Sequence, residues 1–232
     1  MKLKINTSAG PYIYRFKPLY QGIKPICKEI AKENLFLFKK ICEANNIDFL
    51  LFFGTLLGAV RDKDFISHDE DIDLALLDSD LPRFLSILFE LRKHGFEVVR
   101  YERRGFMSII RKGEYIDLYF FSIHPNHPDL RYLARDIFPK EYVEQRSTIN
   151  FLGETFFVPA DSVGFLASYY GENWQTPIAA FDFHRSPLSK AIAYMKQYFK
   201  ALSPFVINEY LQDKKDKPAI EAQIRKIRST FH

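Results

Sequence analysis

The sequence predicts an α+β fold: a mixed β-sheet flanked by helices, with a helical extension at its C-terminal end. Three observations carry that prediction. Short apolar runs bounded by glycine or charged turns alternate with segments of helical periodicity. The turns Arg103-Arg104-Gly105 and Lys112-Gly113-Glu114 space three consecutive strand candidates. The 232-residue chain is 47% hydrophobic, with 23 Phe and 13 Tyr, which is ample for a buried core. A net charge of +4 is too small to argue for a nucleic-acid partner, and none is expected.

Residues 1–23, rich in Pro and Tyr, predict an irregular N-terminal arm. Ile26, Ile30, Leu35, Leu37, Phe38 and Ile41 then recur at helical spacing within residues 24–46, where Asn45-Asn46 is a plausible stop. The apolar run 47–53 ends at Gly54 and reads as a buried strand, and residues 55–60 open a helix. A second strand over 71–77 precedes a helix over 81–94 that stops at Gly95. Residues 96–101, 106–111 and 115–121 read as strands, 122–135 as a loop rich in Pro, His and Asn, and 162–170 and 188–202 as helices. Residues 181–232 form the helical extension, and their charged tail, 212–232, reads as a solvated terminal helix in preference to a membrane-surface one.

Cys27 and Cys42 fall in one predicted helix, separated by roughly 22 Å at 1.5 Å per residue, so no disulfide joins them. The N-terminus lacks the apolar core of a signal peptide, and no apolar run reaches about 18 residues. The expectation is a reduced, cytoplasmic protein, with peripheral association at the inner membrane face left open.

The densest chemistry lies between Gly54 and Asp73. Asp69, Glu70, Asp71 and Asp73 crowd five positions, and carboxylates about 4 Å apart repel by roughly 1 kcal/mol in water and about 4 near a protein surface. A divalent cation relieves that repulsion. On a strand, Asp71 and Asp73 share one face and Ile72, Leu74 and Leu76 the other, with Asp69 joining the acidic row if the strand begins early. Hard oxygen ligands at this spacing suit Mg²⁺ or Mn²⁺, so Asp69, Asp71 and Asp73 are candidate metal ligands. Gly54-Thr55, where a strand hands over to a helix, offers backbone N–H groups to an anion, and glycine admits a phosphate close to the backbone.

Two metals on a phosphoryl group need a further acid. Asp117 is the candidate, because it interrupts an otherwise apolar strand and a charge there needs a partner. It could also assist removal of a hydroxyl proton. The alternative is a salt-bridged strand aspartate. Arg61 could clamp a diphosphate bidentately, or simply pair with Asp62 or Asp64. His68 touches the donor or the metal site, or is a hydrogen-bonded neighbour of the acids. His124 and His127 lack the further ligands a zinc site needs. Tyr170, Trp174 and the run Phe181-Asp182-Phe183-His184 serve either stacking or packing.

Gly54-Thr55-Leu56-Leu57-Gly58, Arg61 and the row Asp69, Asp71, Asp73 resemble the signature of the LicD and fukutin family of nucleotidyltransferase-fold phosphotransferases. Downstream, Gly153-Glu154-Thr155, Val158-Pro159, Leu166, Tyr170-Gly171, Trp174 and Pro177 are similar to its second block, so the resemblance covers roughly residues 30–180. It implies a nucleotidyltransferase-like catalytic domain over 24–180. It also implies transfer of a phosphorylated alcohol or sugar, such as phosphocholine or ribitol phosphate, from a nucleotide-diphosphate donor, CDP-linked by preference, to a glycan or lipid-linked glycan hydroxyl of cell-surface polysaccharide type. Asp71, Asp73 and Asp117 would then be catalytic, Gly54, Thr55, Arg61 and His68 donor-binding, and Asp69, Asp71, Asp73 and Asp117 metal-binding. Where many members place Pro-Trp before the acidic row, this chain has Ser67-His68. Two alternatives stand beside this reading: a nucleotidyltransferase acting on a small molecule or protein, and a catalytically inactive nucleotide-binding domain.

Overall fold

In the computed structural model, which describes residues 1–19, 25–177, 187–202 and 205–230, the chain opens with a β-hairpin in place of the predicted irregular arm. Strands β1 (Lys2–Thr7) and β2 (Gly10–Arg15) pair antiparallel. The Tyr residues are the reason: Tyr12 and Tyr14 alternate with exposed neighbours and bury their rings, Tyr12 lying edge-on to Phe89 at 5.2 Å and beneath the Arg92 guanidinium at 3.8 Å.

Helix α1 (Lys28–Ala44) is the predicted first helix, and Ala31, Leu35, Phe38, Ile41 and Cys42 form its buried stripe. The next strand is far shorter than expected. β3 is only Leu50–Leu51, because Phe53 turns to φ +37° and starts α2 (Phe53–Leu57). A π-helical turn, Gly58–Asp62, follows; a Cβ on Gly58 would stand 2.5 Å from the Asp64 carbonyl oxygen. Strand β4 (Asp71–Leu77) matches its prediction. The helix expected over 81–94 is broken at Ile87 into α3 (Leu81–Ser86) and α4 (Leu88–Lys93), with Gly95 at φ +86° after it.

Strands β5 (Glu97–Glu102), β6 (Phe106–Arg111) and β7 (Glu114–His124) form a meander. The region predicted as a loop over 122–135 is instead the end of β7 and strand β8 (His127–Leu133), which continues to β9 (Asp136–Pro139). Pro128 is accommodated because it falls in the irregular stretch of the β7–β8 pairing and has no partner in either register of β8. After the single-turn helix α5 (Glu141–Glu144) comes a second unpredicted hairpin, β10 (Arg146–Phe151) and β11 (Glu154–Pro159). Its Leu152-Gly153 turn takes φ +57° and +98°, a geometry usually announced by Asn-Gly. Helix α6 (Ser162–Tyr170) is as predicted, capped by the Asp161 carboxylate accepting from Gly164 N–H at 2.8 Å. Helices α7 (Pro187–Leu202) and α8 (Phe205–Thr230) make up the C-terminal extension. The 181–184 run lies outside the described residues.

The sheet runs β10-β11-β3-β4-β7-β6-β5, with β8 and β9 continuing from β7. It is mixed: β4 pairs parallel with β7 and β11 with β3, the remaining pairs being antiparallel. Phe52 anchors the core beneath β3, with Phe53, Phe121, Phe138 and Phe165 all within 5.9 Å of its ring centre.

Candidate metal and phosphate site

Every polar group of Asp73 is held. Its N–H donates to the Thr55 hydroxyl at 2.9 Å, its C=O accepts from Phe52 N–H at 3.0 Å, and its carboxylate accepts from Gly54 N–H at 3.0 Å and from the Tyr119 hydroxyl at 3.1 Å. The strand-to-helix turn at Phe53 makes this possible by swinging the residues on either side of it, Phe52, Gly54 and Thr55, toward one partner on β4. Gly54 and Thr55, expected to bind the donor, both bond to Asp73. Their N–H and hydroxyl are spent on Asp73, and α2 is too short to present a free helix end to a phosphate. Glycine at 54 makes room for the acids: a Cβ there would sit 2.5 Å from Asp69 Oδ2 and 3.2 Å from Asp73 Oδ2, so a side chain would have to displace a carboxylate.

The register places Asp73 of β4 opposite Asp117 of β7, Asp117 opposite Ser108 of β6, and Ser108 opposite Arg100 of β5. One polar row thus crosses four strands. Ser108 donates to Asp117 Oδ1 at 2.5 Å, and Arg100 donates from one nitrogen to Asp117 Oδ2 and from another to Ser108 Oγ, both at 3.1 Å. Asp117 is thus ion-paired, but on an interior strand between β4 and β6 and within the acidic group, not on an edge strand. Phe106 props the arrangement, its ring 4.2 Å from the Arg100 guanidinium and edge-on to Tyr119 at 5.0 Å.

Burial pushes the Asp69, Asp71, Asp73 and Asp117 carboxyls above the usual carboxylate range. For Asp71 the charges of Asp73, Asp117 and Asp69 add to the effect, and for Asp73 those of Asp69 and Asp117 do. Opposing it are Gly54 N–H and the Tyr119 hydroxyl at Asp73, and Arg100 with Ser108 at Asp117. Tyr115, Tyr119 and Tyr170 ring the cluster, each held un-ionised first by burial and then by these acids.

Arg61 pairs bidentately with Asp62, its Nε and Nη2 donating at 2.7 and 2.8 Å. His68 is exposed beside Asp69, where its charge favours the carboxylate. Trp174 is buried in the core and so takes the packing alternative. Among the described residues, no group of three or more His, Cys, Asp or Glu side chains stands ready-arranged around a cation, so carboxylates must turn for one to bind. The donor set nevertheless fits Mg²⁺ or Mn²⁺ in kind: Asp69 and Asp73 already share the Gly54 cradle, with Asp71 between them in sequence. Arg100, Ser108 and Tyr119 escaped sequence reasoning. For Tyr119 the signal was present, since Tyr115, Asp117 and Tyr119 share one face of β7; for Arg100 it lay in pairing no local pattern reveals.

A family model described as LicD/FKTN/FKRP, nucleotidyltransferase domain, matches residues 46–161. The ribitol-5-phosphate transferase FKTN of Homo sapiens is 26% identical over 169 residues, which are 69% of this chain and 36% of that protein. The lipopolysaccharide cholinephosphotransferase LicD of Haemophilus influenzae is 40% identical over 53 residues, 23% of this chain and 20% of that one. The chain spans about a third of the length of the FKTN proteins it matches, or 36% of the human one. Among solved structures, ANT(2″)-Ia in complex with adenylyl-2″-tobramycin aligns over 86% of this chain and 99% of its own, at 14% identity and a TM-score of 0.44. Among the described residues no helix is long and apolar enough to cross a membrane.

Proposed function

Because the chain belongs to the LicD/FKTN/FKRP family, we propose that it transfers a phosphorylated alcohol or sugar, of the phosphocholine or ribitol-phosphate kind, from a nucleotide-diphosphate donor to a glycan hydroxyl. A CDP-linked donor is favoured. The observation that carries the reading is the gathering of Asp69 and Asp73 against Gly54, with Asp117 one strand away in register with Asp73. The named activities of two relatives, ribitol-5-phosphate transfer and cholinephosphate transfer to lipopolysaccharide, supply the chemistry in common.

In this reading Asp69, Asp71 and Asp73 hold Mg²⁺ or Mn²⁺, which when bound neutralises charge on a diphosphate and orients it for in-line attack. The chain's own residues do the rest. Gly54 N–H and the Tyr119 hydroxyl fix the two oxygens of Asp73, so Asp73 is the held member of the set and Asp69 and Asp71 are the ones that turn to complete it. Asp117, bound by Ser108 and Arg100, sets the charge beside Asp73 and is the group placed to accept an acceptor hydroxyl proton. Arg61, by exchanging Asp62 for a diphosphate, and the exposed His68 are the further donor-binding residues of this reading.

The protein is incubated with CDP-choline, CDP-ribitol, CDP-glycerol and a sugar nucleotide, each with glycan acceptors and Mg²⁺ or Mn²⁺, and followed by phosphorus NMR. Release of CMP with a new phosphodiester is expected, and chelator stops it. Diphosphate release from a nucleoside triphosphate, with no turnover of any CDP-linked compound, overturns the reading.

A further inference from the structure

Helix α7 turns its apolar side outward. It rests on the N-terminal segment through Gln197, whose Nε2 donates to the Leu19 carbonyl at 2.6 Å and whose Oε1 accepts from Leu19 N–H at 3.1 Å. The Tyr198 ring also meets Phe16 edge-on at 5.6 Å. Its half-buried positions are Ser189, Ala193 and Gln197, small or polar and spaced four apart. Leu188, Ile192, Met195 and Phe199 follow the i, i+4, i+7, i+11 spacing of a single stripe and are 71, 41, 64 and 76% exposed. A contiguous apolar stripe held toward solvent marks an interaction surface.

Charge identifies the surface it meets. Helix α7 carries Lys190, Lys196 and Lys200 and no acid, and residues 1–17 carry Lys2, Lys4, Arg15 and Lys17 and no acid. Lys2, Lys4, Arg15, Lys17 and Lys196 are exposed, as is Ile13 on the same hairpin. Two touching segments thus hold seven cations and no compensating carboxylate in a chain whose net charge is +4. An apolar stripe of Leu, Ile and Met with the exposed Lys196 beside it is the chemistry of a helix lying in a lipid interface, and the hairpin's cations extend the attraction to anionic headgroups. We infer that α7 and the N-terminal hairpin dock this protein on an anionic lipid surface, with the stripe at the acyl boundary and Lys196 and the hairpin's cations at the headgroups. The docking does not depend on which group the active site transfers.

The test is flotation of the full chain with vesicles of phosphatidylcholine alone or with about 30 mol% phosphatidylglycerol, at low and high salt. The wild type should float with the anionic vesicles, lose most of that binding at high salt, and stay down with phosphatidylcholine. The triple variant Leu188→Ser, Ile192→Ser, Met195→Ser and the double variant Lys2→Glu, Lys4→Glu should each bind at least about 10-fold more weakly while keeping the wild-type circular dichroism melting curve. Wild-type protein that ignores anionic vesicles, or variants that float as well as wild type, would overturn the inference. So would a wild-type dimer in sedimentation equilibrium that the triple variant abolishes without any vesicle binding, since a second copy would then own the stripe.

Discussion

Asp73 and Asp117 face one another across the parallel pair β4–β7, yet they are held by opposite chemistry: Asp73 by a backbone amide and a phenol, Asp117 by a guanidinium and a hydroxyl. One acid is left with neutral partners and the other has a cation. Their responses to the same substitution should therefore differ.

Asp73→Asn should cost at least about 100-fold in turnover, the scale of losing a positioned charge-stabilising group. Metal-free stability should not fall, because a neutral amide removes repulsion from Asp69 and Asp117. Turnover assays paired with thermal melts in chelator check both halves. Turnover near that of the wild type at saturating Mg²⁺ would sink the assigned site.

Asp117→Asn should destabilise by about 1–3 kcal/mol, because half-buried Arg100 and buried Ser108 lose the charge they share. Urea unfolding of the variant and of Arg100→Met Asp117→Asn measures it, and the double variant should recover part of the loss.

Gly54→Ala should weaken Mn²⁺ binding by at least about 10-fold with a smaller effect on folding, since the new methyl would displace Asp69 Oδ2 and leave the Asp73 backbone bonds in place. Titration calorimetry decides; unchanged Mn²⁺ affinity would separate Asp69 from the metal site.

Thr55→Val should cost about 1–3 kcal/mol by stranding the buried Asp73 N–H, whereas Thr55→Ser should be close to wild type. Chemical denaturation of the two variants distinguishes this from a direct role at the donor, for which Thr55→Val would change donor KM and leave stability alone.

Tyr12 is pushed up to about 12, first by burial and then by Glu97. A raised folded value means the native state keeps its proton longer than the unfolded chain, so the hydroxyl's contribution is present below the unfolded value of 10.0 and is lost as pH climbs to about 12. The stability difference between wild type and Tyr12→Phe should shrink across that window, read from melts at stepped pH.

The acidic strand and its face were legible because alternation on β4 leaves little choice: Ile72, Leu74 and Leu76 demand burial and so align Asp71 with Asp73. Helix α6 and strand β6 were legible for similar local reasons. What escaped is set by tertiary contact. Tyr12 needs Phe89 and Arg92 before its strand has a face to bury, and Arg100 acquires its role only when β5, β6 and β7 align. Gly54 stands out in the sequence as a turn, and only the fold shows that carboxylates occupy the space beside it.

Residues 52, 54 and 55 together grip the amide, carbonyl and side chain of residue 73. The reference frame of the site is thus set within one short stretch of β3–α2 and a single strand position. Segments that pack away from that grip, such as β8 and α8, could lengthen, shorten or change sequence without misaligning the acids. Such insulation makes the spacing of the acids a property of four residues and leaves the periphery free to vary around them.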